Sequence, residues 1–260
     1  MAINYVPLDK NKHKELKVSA QAGFEFAKGS HLAAATIREF AQLAGSMPIV
    51  FIKDPQSGNY HVVAMLGTEQ NTNFYVVDGK WQGPYVPMNI QRYPFDVRPD
   101  GDKLGVFFDE NSDVVGDTGE ALFTEDGEAT EFLNKRQQFL SELANSEMLT
   151  QRFVKKVVEL DLLEEIQVQL TYENGQQRNV TGMQSINEKK LRELDDAQVL
   201  EMHKNGFLGA IYATMVSLGQ LNRLIELSNK TDMPIRNLQI RAAADAAKAS
   251  QAQPTQAPQA

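Results

Sequence analysis

The 260-residue chain contains no cysteine. Disulfides, thiolate zinc sites, iron–sulfur clusters and cysteine nucleophiles are therefore all excluded, while the compartment stays open. Histidine is scarce as well. His13, His31, His61 and His203 never pair at i, i+2 or i, i+4, the spacings that bring two imidazoles to one metal, and no His-Glu-x-x-His occurs. His203 lies just before Gly206 and reads as a helix-end residue whose imidazolium would complement terminal carbonyls. A carboxylate–histidine pair assembled across the fold is not visible in sequence.

Long apolar runs are missing too. The best stretch, 207–227, is interrupted by Ser217, Gln220, Asn222, Arg223 and Glu226, so it reads as an amphipathic helix. A membrane span needs about 20 consecutive apolar residues. The N-terminal Met-Ala-Ile-Asn-Tyr-Val-Pro-Leu-Asp-Lys has no basic region followed by an apolar one, so no classical signal peptide is expected. The location expected is the cytoplasm, with signal-independent export to the surface as the alternative. Positive charge is also in deficit: 26 Lys and Arg face 34 Asp and Glu, a net charge of −8. The basic run Lys189, Lys190, Arg192 is interleaved with Glu188, Glu193, Asp195 and Asp196 and reads as a solvated helix face. No nucleic-acid partner is expected. Phosphate-binding glycine loops and the G-x-S-x-G nucleophile elbow are absent, so no cofactor is expected either.

What remains predicts an α+β fold, with an antiparallel-rich N-terminal part, a helical C-terminal part and one late β-hairpin. Strands are expected over 18–27, 73–77, 92–97 and 104–108. Strands over 48–53 and 60–66 are joined by the turn-rich Asp54-Pro55-Gln56-Ser57-Gly58-Asn59. A short helix is expected over 33–44. Asp78-Gly79 suits a turn with positive φ. Residues 127–162 read as two helices, the second capped by Thr150. Strict alternation of Ile166, Val168, Leu170 and Tyr172, followed by Asn174-Gly175 and 178–186, is the clearest hairpin. Helices are expected over 188–194, 195–204 and 207–228. Residues 1–228 are expected to form one domain. Residues 229–260, increasingly rich in Ala, Gln and Pro, are expected as a partly helical to disordered tail.

The segment Asn73-Phe74-Tyr75-Val76-Val77-Asp78-Gly79-Lys80-Trp81, then Tyr85-Val86-Pro87 and Ile90-Gln91-Arg92-Tyr93-Pro94-Phe95, resembles the hallmark of the SapC family. Tyr5-Val6-Pro7-Leu8, Pro48-Ile49-Val50-Phe51 and 206–224 extend the resemblance along the chain. The family takes its name from bacterial surface-layer systems, and other members are encoded near outer-membrane uptake receptors and flavin halogenase-like enzymes. The resemblance implies no reaction and no catalytic residue. It implies surface-layer, export or outer-membrane receptor proteins as partners.

Two constellations bear on function. Phe74, Tyr75, Trp81, Tyr85, Tyr93 and Phe95 lie close together among prolines, with Arg92 beside them. They would form either a stacking platform, with Arg92 holding an anion, or a packed minicore fixed by prolines. The acidic run 109–120 places Asp109, Asn111, Asp113, Asp117 and Glu120 at EF-hand positions. Val114 stands where that loop needs glycine and a strand precedes it, so a solvated acidic loop is the better reading and no metal is expected. The function expected is a non-enzymatic accessory or binding protein of a bacterial cell-surface system, with Trp81, Tyr85, Arg92, Tyr93 and Phe95 as its recognition residues. The alternative is an enzyme acting on peptide or protein substrates.

Overall fold

The structure is a computed structural model, and it describes residues 3–19, 23–232 and 234–243. Strands β1 (Tyr5–Pro7) and β2 (Lys17–Val18) precede a 3-10 turn at Glu25–Ala27. Strand β3 (Leu32–Ala34), a 3-10 turn at Ile37–Glu39 and helix α1 (Phe40–Ala44) follow. Next come β4 (Ile49–Lys53), β5 (Tyr60–Met65), β6 (Val76–Val77), β7 (Lys80–Trp81) and α2 (Met88–Gln91). Strands β8 (Phe95–Asp100), β9 (Lys103–Asp109), β10 (Val115–Gly116) and β11 (Glu120–Ala121) lead into α3 (Glu131–Glu159). The chain continues with β12 (Leu163–Tyr172), β13 (Gln177–Ile186), α4 (Glu188–Arg192) and α5 (Asp196–Lys204). It closes with α6 (Phe207–Ser217), α7 (Leu221–Ser228) and β14 (Ile235–Ala242).

This is an α+β fold. Its main sheet has six strands in the order β14-β12-β13-β4-β5-β3, with every neighbouring pair antiparallel. The expected β4–β5 and β12–β13 hairpins both form. In β12 the alternating Ile166, Val168, Leu170 and Tyr172 are buried, so the period-2 pattern faces the core as it should. Two small three-stranded sheets, β1-β9-β8 and β10-β2-β11, enclose a second apolar cluster around Val18, Phe95, Phe108 and Leu122.

Helix α3 joins the two cores. Thr130 caps it by accepting the Leu133 N–H at 3.2 Å. Leu133 and Leu140 near its start bury into the small core, while Phe153, Val154 and Val157 near its end bury against the main sheet. The two helices expected over 127–162 are thus one helix of 29 residues. The polar stretch at 145–150 looks like an interruption in sequence, yet Ser146 and Thr150 are buried. Thr150 starts no helix: within α3 its hydroxyl donates back to the Ser146 carbonyl at 2.7 Å, and it accepts the Ile37 N–H at 2.8 Å, the first amide of the Ile37–Glu39 turn.

Other expectations need correction. Of the strands expected over 92–97 and 73–77, only 95–97 and Val76–Val77 are strand, and a 3-10 turn at Leu218–Gln220 divides the helix expected over 207–228 into α6 and α7. Of the strand expected over 18–27, only Val18 is in a strand, and a 3-10 turn occupies Glu25–Ala27; residues 20–22 lie outside the described residues. The helix expected from 33 starts later, because Thr36 and Glu39 form a capping box that stops β3 and opens the turn leading to α1. The tail expected from 229 includes a strand: β14 pairs along most of β12, and Ile235 is buried. Leu238, Ile240 and Ala242 alternate there with arginine and glutamine, a half-buried pattern masked in sequence by the Ala/Gln-rich residues beyond. Residues 244–260, where the disordered tail was expected, lie outside the described residues.

Candidate functional site

The Asn73–Phe95 segment is pinned by turns and hydrogen bonds. Asp78 and Gly79 both adopt positive φ, 49° and 69°, and close the β6–β7 hairpin as their sequence predicts. Trp81 stacks on the buried Tyr75 ring at 5.4 Å, and its indole N–H donates to the Tyr85 carbonyl at 2.8 Å. Gly83 sits against both rings: a Cβ there would lie 3.1 Å from Trp81 Nε1 and 3.2 Å from Tyr75 Cδ1. The Tyr75 hydroxyl donates to the Ser46 carbonyl.

Tyr85 leads to a buried carboxylate. Glu39 Oε2 accepts from the Tyr85 hydroxyl at 2.9 Å and the Met88 N–H at 2.8 Å, while Oε1 accepts from the Thr36 N–H at 2.9 Å and its hydroxyl at 3.1 Å. Burial pushes the Glu39 carboxyl up from its ordinary value, and the donors only partly offset this. Each carboxylate oxygen is already engaged by two donors of the chain, so this group ties the 36–39 turn to the 85–88 segment.

Arg92 meets an anion within the chain. Its guanidinium donates to Asp96, a buried carboxylate that also accepts from Arg98 Nε at 2.9 Å and the Val97 N–H at 2.9 Å. Phe95 is fully buried in the small core. The peptide between Tyr93 and Pro94 is cis. The Tyr93 hydroxyl donates to Asp109 Oδ2 at 3.0 Å, and Asp109 Oδ1 accepts the N–H groups of Asn4 and Asn111 at 2.8 and 3.2 Å. Asp109, first of the EF-hand-like positions, is thus buried and holds the start of β1. Among the described residues, no group of three or more His, Asp or Glu could hold a metal ion.

Tyr93 also opens onto a cleft between the two cores. Its wider part, about 610 Å³, is lined by Glu25, Phe26, Tyr93, Asp109 and Asp113 among others. A narrower part of about 240 Å³ adds Phe24, Ile90, Phe132 and Arg136. Ser19, Phe26, Tyr93 and Val114 line both parts. Phe26 is stacked on Tyr93 with ring centroids 4.0 Å apart and remains 38% exposed. From there a ladder of rings runs inward, Phe26 to Phe24 at 6.2 Å, Phe24 to Trp81 at 5.5 Å, and Trp81 to Tyr75. Aromatic pairs at such separations attract one another by about 0.5–1.5 kcal/mol beyond the area they bury. Desolvation first, and then the Asp109 carboxylate, push the Tyr93 phenol up to about 12.

Of the five residues read as recognition residues, Tyr93 alone lines this cleft. Trp81 stands behind it on the ladder, and Tyr85 and Arg92 are held by Glu39 and Asp96. Phe95 offers no surface at all. Sequence reasoning missed Phe26, Glu39 and Arg136 as site or supporting residues. Thr36-x-x-Glu39 carried a readable capping-box signal; nothing in the sequence marks Arg136.

Compared with known proteins, residues 8–224 match the model of the SapC family. No curated protein and no solved structure matches the chain.

Proposed function

We propose that this chain, which belongs to the SapC family, is a non-enzymatic binding protein accessory to a bacterial cell-surface or outer-membrane uptake system. Its partner would be held in the cleft at Phe26 and Tyr93. The observation that carries this reading is the exposed Phe26 ring, fixed by stacking on Tyr93 and backed by rings down to the main core. A large apolar ring held in place at the mouth of a cleft loses little conformational freedom when a partner covers it, which favours binding.

The lining supports binding over chemistry. Its described titratable side chains are carboxylates, the Tyr93 phenol and one guanidinium. The pair closest to proton-transfer geometry, Tyr93 and Asp109, is occupied in holding β1 and the acidic loop.

The test is capture of partners from bacterial cells carrying this gene, using the tagged full chain beside Phe26→Ala and Arg92→Ala variants, each confirmed by thermal unfolding to be folded at the assay temperature. The reading expects surface or receptor proteins with the wild type and Arg92→Ala, and their loss with Phe26→Ala. Equal capture by all three would remove the cleft as the binding face.

A further inference from the structure

The inner end of the cleft holds a positive charge that no carboxylate among the described residues balances. Arg136, on α3, is partly buried. Among the described residues its guanidinium has no hydrogen bond or ion pair, and it lies over the Phe132 ring 5.4 Å away. The other partly buried arginines are treated differently: Arg92 and Arg98 hold Asp96, and Arg223 holds Glu226. Burial alone pushes the Arg136 guanidinium down from its ordinary value, and among the described residues no carboxylate lies near enough to raise it again. A guanidinium withdrawn from water is costly unless an anion meets it, and its planar fork matches a carboxylate in bidentate fashion.

The surroundings define the rest of the ligand. Phe24, Phe26, Tyr93 and Phe132 give the narrow part an aromatic wall, beside a comparable share of polar surface to which Ser19, Gln91 and Arg136 contribute. At about 240 Å³ it lies below the roughly 300–1,000 Å³ typical of sites for drug-sized molecules, so it suits one ring with a short arm. We propose that this inner end binds a carboxylate carried on an aromatic body, the carboxylate paired with Arg136 and the body against the rings of Phe26 and Phe132. The same chemistry is presented by a free aryl-alkanoic acid and by the C-terminal phenylalanine of a peptide, for which the wider cleft leaves room. The proposal deepens the cleft reading and rests on it.

The experiment is calorimetric titration of the full chain with 3-phenylpropionate and its neutral amide, and with the peptide Gly-Gly-Phe as free acid and as C-terminal amide. The acid of each pair is expected to bind at least roughly tenfold more tightly than its amide, as a charge-assisted pair implies. Arg136→Gln should bring the ratio to about one with an unchanged unfolding temperature, and Phe26→Ala should weaken acid and amide alike. Which acid binds more tightly separates the free molecule from the peptide terminus. Equal binding of acid and amide, an unchanged ratio in Arg136→Gln, or no binding of any probe at millimolar concentration each overturns the proposal. Equal binding that Phe26→Ala weakens would overturn the anion slot while sparing the cleft, whereas the capture experiment tests the cleft independently.

Discussion

Removing the Glu39 carboxylate should cost far more than removing a typical surface charge. The side chain is 2% exposed and accepts four hydrogen bonds, two of them from the N–H groups of Thr36 and Met88. Glu39→Ala leaves those two amides without their acceptor, at about 1–3 kcal/mol each. Tyr85 is half-exposed and recovers water, so the expected total is about 3–5 kcal/mol. Glu39→Gln keeps the shape but turns an NH2 toward one pair of donors, for about 1–2 kcal/mol. The pH dependence distinguishes the two terms. The folded-state carboxyl titrates above its ordinary value of 4.5, so the native state binds the proton more tightly than the unfolded one. Wild-type stability therefore falls as pH rises from about 4.5 through the folded-state value, and levels off above it. Gln cannot titrate, so the deficit of Glu39→Gln should be largest in acid and shrink toward neutrality. Urea unfolding followed by fluorescence of Trp81, across that pH range, measures both. A Glu39→Ala deficit under about 1 kcal/mol, or a Glu39→Gln deficit that grows with pH, would refute the argument.

Thr150→Val should destabilise the fold by about 1–3 kcal/mol in chemical denaturation, because the Ile37 N–H loses its acceptor; Thr150→Ser should restore most of that. At Gly67 an added Cβ would lie 1.9 Å from the Thr72 carbonyl oxygen, so Gly67→Ala must displace backbone. A loss of about 3 kcal/mol is expected, read by calorimetry as a fall of roughly 6–12 °C in Tm. Tyr93→Phe should flatten the stability loss between about pH 10 and 12. The folded phenol stays protonated up to about 12 while the unfolded one ionises near 10, so wild-type stability drops across that window. Denaturation at about pH 9 and about pH 11 compares the two slopes.

Hairpins were the most legible part of the chain, since alternation and turn chemistry are local. Asn174-Gly175 between the β12 pattern and β13, and Asp78-Gly79 with its positive φ, needed no tertiary information. Strands of two or three residues such as β1 and β2 carry no period to read, and they exist because β9, β10 and β11 pair with them. Helix α3 was split in reading because buried Ser146 and Thr150 look like a terminus until their hydrogen bonds are seen. At the site, sequence proximity was a poor guide. Arg92 and Tyr93 are neighbours, yet one turns to Asp96 and the other to Asp109, while Phe26 reaches Tyr93 from far along the chain. Arg136 had no sequence signal, because an arginine that no carboxylate among the described residues meets is unusual only once its burial is known.

The strand order of the main sheet also sets a timetable for synthesis. Strands β3, β4 and β5 leave the ribosome early and can pair with one another at once. The other edge of β4 must wait for Met183 and Gln184, more than a hundred residues later, to cover Ile52 and Phe51. At translation speeds of roughly 5–20 residues per second, that edge is bare for about 7–25 s in every new copy. It is an apolar strand with unpaired amides, the kind of surface that recruits other chains. The centre of the mature sheet is therefore the nascent chain's most exposed edge, and crowding on polysomes should threaten this protein more than heat does once β13 has docked.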